Sequence, residues 1–156
     1  LDLWISLAWL ASHTSRIEFG PLVAPVSMRH PNIMARQASA VDDLSGGRLT
    51  LGLGAGWQER EHTNNGFDLL DRADRFARFE EAIEVTARLL RSDTPSTYQG
   101  RFFQLRDAIL LPRPSRVHEI IRPSNFRDKG VDNIRRDPEY LDIVDGIWAS
   151  LRSYVE

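Results

Sequence analysis

The chain is 156 residues long, carries 20 basic and 22 acidic side chains for a net charge of −2, and has no cysteine. That balance offers no basic footprint for nucleic acid, and without cysteine there are no disulfides, thiolate nucleophiles or cysteine-ligated zinc sites. No stretch approaches the roughly 20 apolar residues of a membrane span, and no signal-peptide pattern opens the chain, so a cytoplasmic protein without membrane contact is expected.

Leu3, Leu7 and Leu10, with Trp4 and Ala8 beside them, recur at helical spacing and predict a helix over residues 1–13. No cap is evident before it, so the chain is expected to open inside an element of something longer. Residues 16–23 follow as a short buried strand built on Ile17, Phe19, Leu22 and Val23, closed by Pro25, which cannot donate to a ladder. Pro31 suits the first turn of a second helix, whose stripe is Ile33, Met34, Ala38, Val41 and Leu44 and whose stop is Gly46-Gly47. Residues 48–53 read as a second strand running into Gly54-Ala55-Gly56-Trp57, then a polar loop. Residues 72–91 form the plainest helix, with Phe76, Phe79, Ile83, Ala87 and Leu90 on its apolar face and a Glu84–Arg88 pair at i, i+4. Tyr98-Gln99-Gly100-Arg101-Phe102-Phe103 predicts a hairpin reaching Ile109 and Leu110. Beyond the Pro112–Pro114 linker, residues 117–121 suggest a strand and 140–154 a last helix. Strands alternating with helices imply an α/β fold with parallel pairing and right-handed crossovers.

The informative residues lie at two strand ends. One is Phe19-Gly20-Pro21-Leu22-Val23-Ala24-Pro25-Val26 with Arg29-His30-Pro31; the other is Asp42-Asp43-Leu44-Ser45-Gly46-Gly47-Arg48-Leu49, continuing as Leu51-Gly52-Leu53-Gly54-Ala55-Gly56-Trp57. With Glu59-Arg60-Glu61-His62, Gly66, Arg75-Phe76 and the hairpin, they make the sequence resemble the luciferase-like monooxygenase family, whose members use the deazaflavin F420 or FMN. The resemblance covers residues 1–115 and divides the chain there, leaving 116–156 as a divergent tail with a terminal helix. It implies a partial (β/α)8 TIM-barrel-like fold with the cofactor at the carboxyl ends of the strands. A non-proline cis peptide at Pro21–Leu22, or one residue earlier, would bulge against the ring. Pro21, Leu22, Val23 and Ala24 would then meet one face of F420 or FMN, and Ala55, Gly56 and Trp57 its edge. The substrate would be a small molecule.

Several residues carry a second reading. Glycines at 52, 54 and 56 permit close approach of a flat cofactor, or equally close helix–strand packing without any ligand. Trp57 lines the pocket or plugs the barrel mouth. His30 is expected to cap or pack, Glu61 and His62 to lie in a solvated loop, and Asp42 and Asp43 to serve fold specificity or sit exposed. The histidines lack zinc-helix spacing, and no serine-hydrolase elbow is present. No catalytic acid or base is assigned, because the family's histidine-bearing motif has no counterpart here. Neither has its later glycine-rich phosphate site; only Gly130-Val131-Asp132 faintly resembles the family's carboxyl-terminal region. A full barrel takes about 250 residues, so a non-catalytic remnant is the alternative, one that associates through an exposed sheet edge as a homo-oligomer or with a partner chain that completes the barrel. A Rossmann-type nucleotide binder on Gly52, Gly54 and Gly56 is disfavoured because a polar loop follows where the phosphate-binding helix should begin.

Overall fold

The computed structural model describes residues 2–111. Within them the order is α1 (Leu3–His13), β1 (Ala24–Pro25), α2 (Pro31–Ser45), β2 (Leu53–Gly54), α3 (Glu59–Asn65), α4 (Arg72–Arg91), β3 (Ser96–Gln99) and β4 (Gln104–Ala108). The strand expected at 117–121, the helix expected at 140–154 and the rest of the tail lie outside the described residues. Among the described residues no helix is long and apolar enough to cross a membrane.

The first helix does have a cap, contrary to expectation. The Asp2 carboxylate accepts from the backbone N–H groups of Trp4 and Ile5 at 2.9 and 3.2 Å, satisfying donors that have no partner inside the helix. Those bonds, joined by Arg29 at 3.0 Å, hold its pKa below the ordinary carboxylate value. Asp2 stands at the second position, where no preceding residues mark a boundary in the sequence. The second helix begins at Pro31, as its fixed φ favours, and ends on Gly46 at φ +70°, whose N–H returns to the carbonyls of Asp42 and Asp43. The third helix, α3, stands where the sequence predicts a polar loop. It has no apolar stripe and no side-chain N-cap, but it carries Glu59 and Glu61 in its first turn, His62 in its last and Gly66 beyond, an order that complements the helix dipole.

Helix α2 packs against both α1 and α4. The core they share includes Trp4, Leu7, Met34, Ala38, Val85 and Leu89. Met34 and Leu89 are fully enclosed, and each such side chain contributes about 2 kcal/mol of apolar burial. On the strands, Phe19, Leu49, Leu51 and Leu53 pack against this core, while Thr50, Gly52 and Gly54 alternate onto the opposite face.

Pairing between the two leading strand segments is parallel, with Phe19 opposite Leu49, then Ala24 opposite Leu53 and Pro25 opposite Gly54. From the first pair to the second, the leading segment advances five residues and its partner four, so one extra residue is inserted. Hydrogen bonds bracket the insertion: Gly52 N–H donates to the Pro21 carbonyl at 3.2 Å and Ala24 N–H donates to the Gly52 carbonyl at 2.8 Å. Leu22 and Val23 therefore form a β-bulge, which re-aims side chains where pairing is interrupted. Pro25 does not close the strand; it continues the pairing, and the following Val26 N–H donates to Gly54 O at 2.9 Å.

The antiparallel hairpin β3–β4 is bound to α4 through its turn. Glu81 accepts the backbone N–H groups of Arg101, Phe102 and Phe103 at 2.8, 2.9 and 3.1 Å, and Arg101 forms a two-pronged pair with Asp74. A carboxylate held by three N–H donors is among the stronger polar anchors.

Candidate functional site

At the amino ends of the strands, Arg48 is the organising side chain. Its guanidinium donates to the Ser45, Ile17, Ala11 and Thr14 carbonyls and to Thr14 Oγ1, at 2.7 to 3.1 Å. Five bonds from one planar group tie the end of α1, the end of α2 and the start of the first strand together. Nearby Asp42 is buried and its carboxylate accepts from Leu49 N at 3.4 Å, which gives it the fold-specifying role of its two readings, whereas Asp43 is exposed.

The carboxyl ends are different. Leu22 is 95% exposed, Val23 56% and Trp57 79%. These are large apolar groups left exposed among the described residues, at the ends of two adjoining strands. Pro21 and Ala24 turn inward and are buried, so they can present only backbone to a ligand, and Ala55 and Gly56 are partly buried. The bulge thus separates the four residues of the first strand end into an outward apolar pair and an inward pair. Trp57, being solvent-exposed, plugs nothing among the described residues.

The glycines have a reason internal to the chain. A Cβ on Gly52 would run into the carbonyl oxygens of Pro21 and Leu22, and one on Gly54 into the Val23 side chain. Close packing accounts for both positions, but the neighbour is the adjoining strand segment and not the helix that was expected: the bulge leans over β2, and glycine makes the room. Gly56 has φ +84°, a conformation that favours glycine, and a Cβ there would collide with Ser27 Oγ and stand 3.1 Å from His62 Nε2.

His62 is not solvated. It is 2% exposed, with Nε2 at 2.7 Å from Ser27 Oγ and Nδ1 at 2.6 Å from the Gln58 carbonyl. The expectation failed because the loop is a helix, which turns His62 back under the strand ends while Glu61 stays exposed. Ser27 carries no signal in the sequence, since a lone serine after a strand has no chemical signature. His30 caps α2 by accepting from Asn32 N at 3.2 Å and meets the Phe103 ring edge-on, and partial burial lowers its pKa from the ordinary imidazole value. Among the described residues no three histidine or carboxylate side chains gather as a metal site.

The chain is 39% identical over 116 residues to 4-hydroxyprotoasukamycin monooxygenase of Streptomyces nodosus subsp. asukaensis, covering 74% of this chain and 30% of that one. It is 37% identical over 124 residues to the pyrimidine monooxygenase RutA of Methylorubrum extorquens, covering 78% and 33%. Among solved structures, an F420-dependent secondary alcohol dehydrogenase in complex with an F420-acetone adduct superposes with a TM-score of 0.68 at 25% identity, over 74% of this chain and 35% of that one. The chain thus spans about a third of the length of the relatives it matches. Parallel strands with covering helices, a bulged first strand end beside a glycine-rich second one, and a family profile matching residues 1–123 place the chain in the luciferase-like monooxygenase family.

Proposed function

We propose that this chain forms part of a (β/α)8-barrel oxidoreductase that holds F420 or FMN against the carboxyl ends of β1 and β2 and acts on a small-molecule substrate. The observation that carries the reading is the exposed apolar ledge of Leu22 and Val23, raised by a bulge beside the Ala55-Gly56-Trp57 turn. A planar, largely apolar ring fits such a ledge, because exposed large apolar groups placed together mark a binding surface. Leu22 and Val23 would meet one face of the ring with the backbone of Pro21 and Ala24 behind them, and Ala55, Gly56 and Trp57 would border its edge. The bound cofactor supplies the hydride or oxygen chemistry; the protein's part is to orient the ring and keep water from one face. Titration of the 156-residue chain with FMN and with F420, followed by fluorescence, tests this. Saturable binding that is lost in Leu22→Asp supports it, and no binding of either overturns it.

One observation favours a second reading. Ile17 is also exposed, at 50%, and among the described residues the leading strand pairs only with β2. A non-catalytic chain that associates through this edge, with a second copy or with a partner completing the barrel, would cover the same surface. Size measurement during the titration separates the two: oligomers that bind neither cofactor support association.

A further inference from the structure

Ser27 lies just past β1 and His62 lies on α3, past β2, so their hydrogen bond joins the two segments that leave the strand ends. The Gln58 carbonyl can only accept, so Nδ1 of His62 carries the proton that it donates there. In the neutral ring Nε2 is then an acceptor, and it takes the Ser27 hydroxyl proton at 2.7 Å. Both ring nitrogens of a buried histidine are thereby satisfied, and the serine hydroxyl has its one proton committed inward. What remains on Ser27 is the oxygen's acceptor capacity. Ser27 is the partly exposed member of the pair, while His62 is buried. The pair also borders Gly56, where a Cβ would strike Ser27 Oγ.

We propose that Ser27 and His62 are a positioning pair for the cofactor: His62, acting through Ser27, fixes a hydroxyl oxygen beside the Ala55–Trp57 turn as an acceptor for an N–H or O–H group of the bound ring or its side chain. This rests on the cofactor reading above. Holding an acceptor in place before binding removes the cost of ordering it afterwards, which is how fixed polar groups gain affinity.

The test uses the 156-residue chain and FMN and F420 as separate probes. Ser27→Ala and Ser27→Cys remove the strong acceptor while keeping most of the volume, and each should weaken the dissociation constant about tenfold, the loss of one hydrogen bond to a ligand. Ser27→Thr keeps the hydroxyl and should restore wild-type affinity together with the visible absorption spectrum of the bound cofactor. His62→Ala should weaken binding to the same extent and also lower the melting temperature. Binding by Ser27→Ala or Ser27→Cys equal to wild type overturns the positioning role and leaves the cofactor reading intact. If Ser27→Ala does not fold, Ser27→Cys decides. Absence of binding by the wild-type chain overturns both.

Discussion

The two ends of the same strand pair are built on opposite principles. At the amino ends, Arg48 donates to carbonyl and hydroxyl oxygens of four residues, Ala11, Thr14, Ile17 and Ser45, so a charged side chain is consumed entirely by the fold. At the carboxyl ends, Leu22, Val23 and Trp57 are exposed apolar groups, and a polar pair, Ser27 and His62, is turned half inward. In complete (β/α)8 barrels the amino-terminal face serves stability and the carboxyl-terminal face serves chemistry. Within this pair of strands the contrast is one of exposure: the polar groups at one end are hydrogen-bonded, and large apolar groups at the other end are exposed among the described residues.

Substitutions should separate the ends cleanly. The largest effect is expected at Gly20→Ala, on the seam between the strands, where a Cβ would drive into the Thr50 carbonyl. Because the obstacle is backbone, relief requires the strands to part, and destabilisation of about 3 kcal/mol by urea unfolding is expected. Next is Arg48→Lys at the amino end. A lysine offers a single ammonium in place of the planar fork and cannot reach all of these oxygens; a loss of about 2 kcal/mol is expected by the same measurement. An unchanged midpoint would show that the Arg48 network is decoration.

At the carboxyl end, Leu22→Ser should leave stability within about 0.5 kcal/mol, as for an ordinary surface change, while weakening FMN or F420 binding severalfold in a fluorescence titration. The comparison breaks if Leu22→Ser unfolds the chain, since that would make the ledge part of the core. The smallest effect concerns pH. Burial lowers the His30 pKa below 6.5 in the folded state, and its Nδ1 must be unprotonated to accept from Asn32 N. The stability it contributes is therefore complete above pH 6.5 and declines as pH falls below that value toward the folded-state pKa. In His30→Asn, which caps without titrating, this decline should vanish from melting curves taken between about pH 7 and pH 5.

Periodicity and end signals made much of the scaffold legible. The stripe through Phe76, Phe79, Ile83 and Leu90 gave a helix of residues 72–91, and the structure has α4 at Arg72–Arg91; Pro31 and Gly46 likewise mark the two ends of α2. The parallel order of the two leading strands followed from a helix lying between them. These features depend on neighbours within one or two turns of chain, where a repeat of apolar side chains or one proline or glycine is enough to decide. The family, too, was carried by local motifs in order along the chain, and the match over residues 1–123 agrees with it.

What the sequence by itself determined, then, is the sense of the α/β fold, the places of the long helices and the membership of the family. Tertiary structure alone decided where the inserted residue of the bulge falls, since register depends on the partner strand; which glycine serves a neighbouring chain, since Gly52 and Gly54 answer to Pro21, Leu22 and Val23 thirty residues away; and that His62 is buried on Ser27. Each of those outcomes is fixed by contacts between residues remote in sequence. A short polar helix such as α3 has no apolar repeat to announce it, and a buried histidine has no local mark to distinguish it from a solvated one, because burial is a property of what is packed around a side chain.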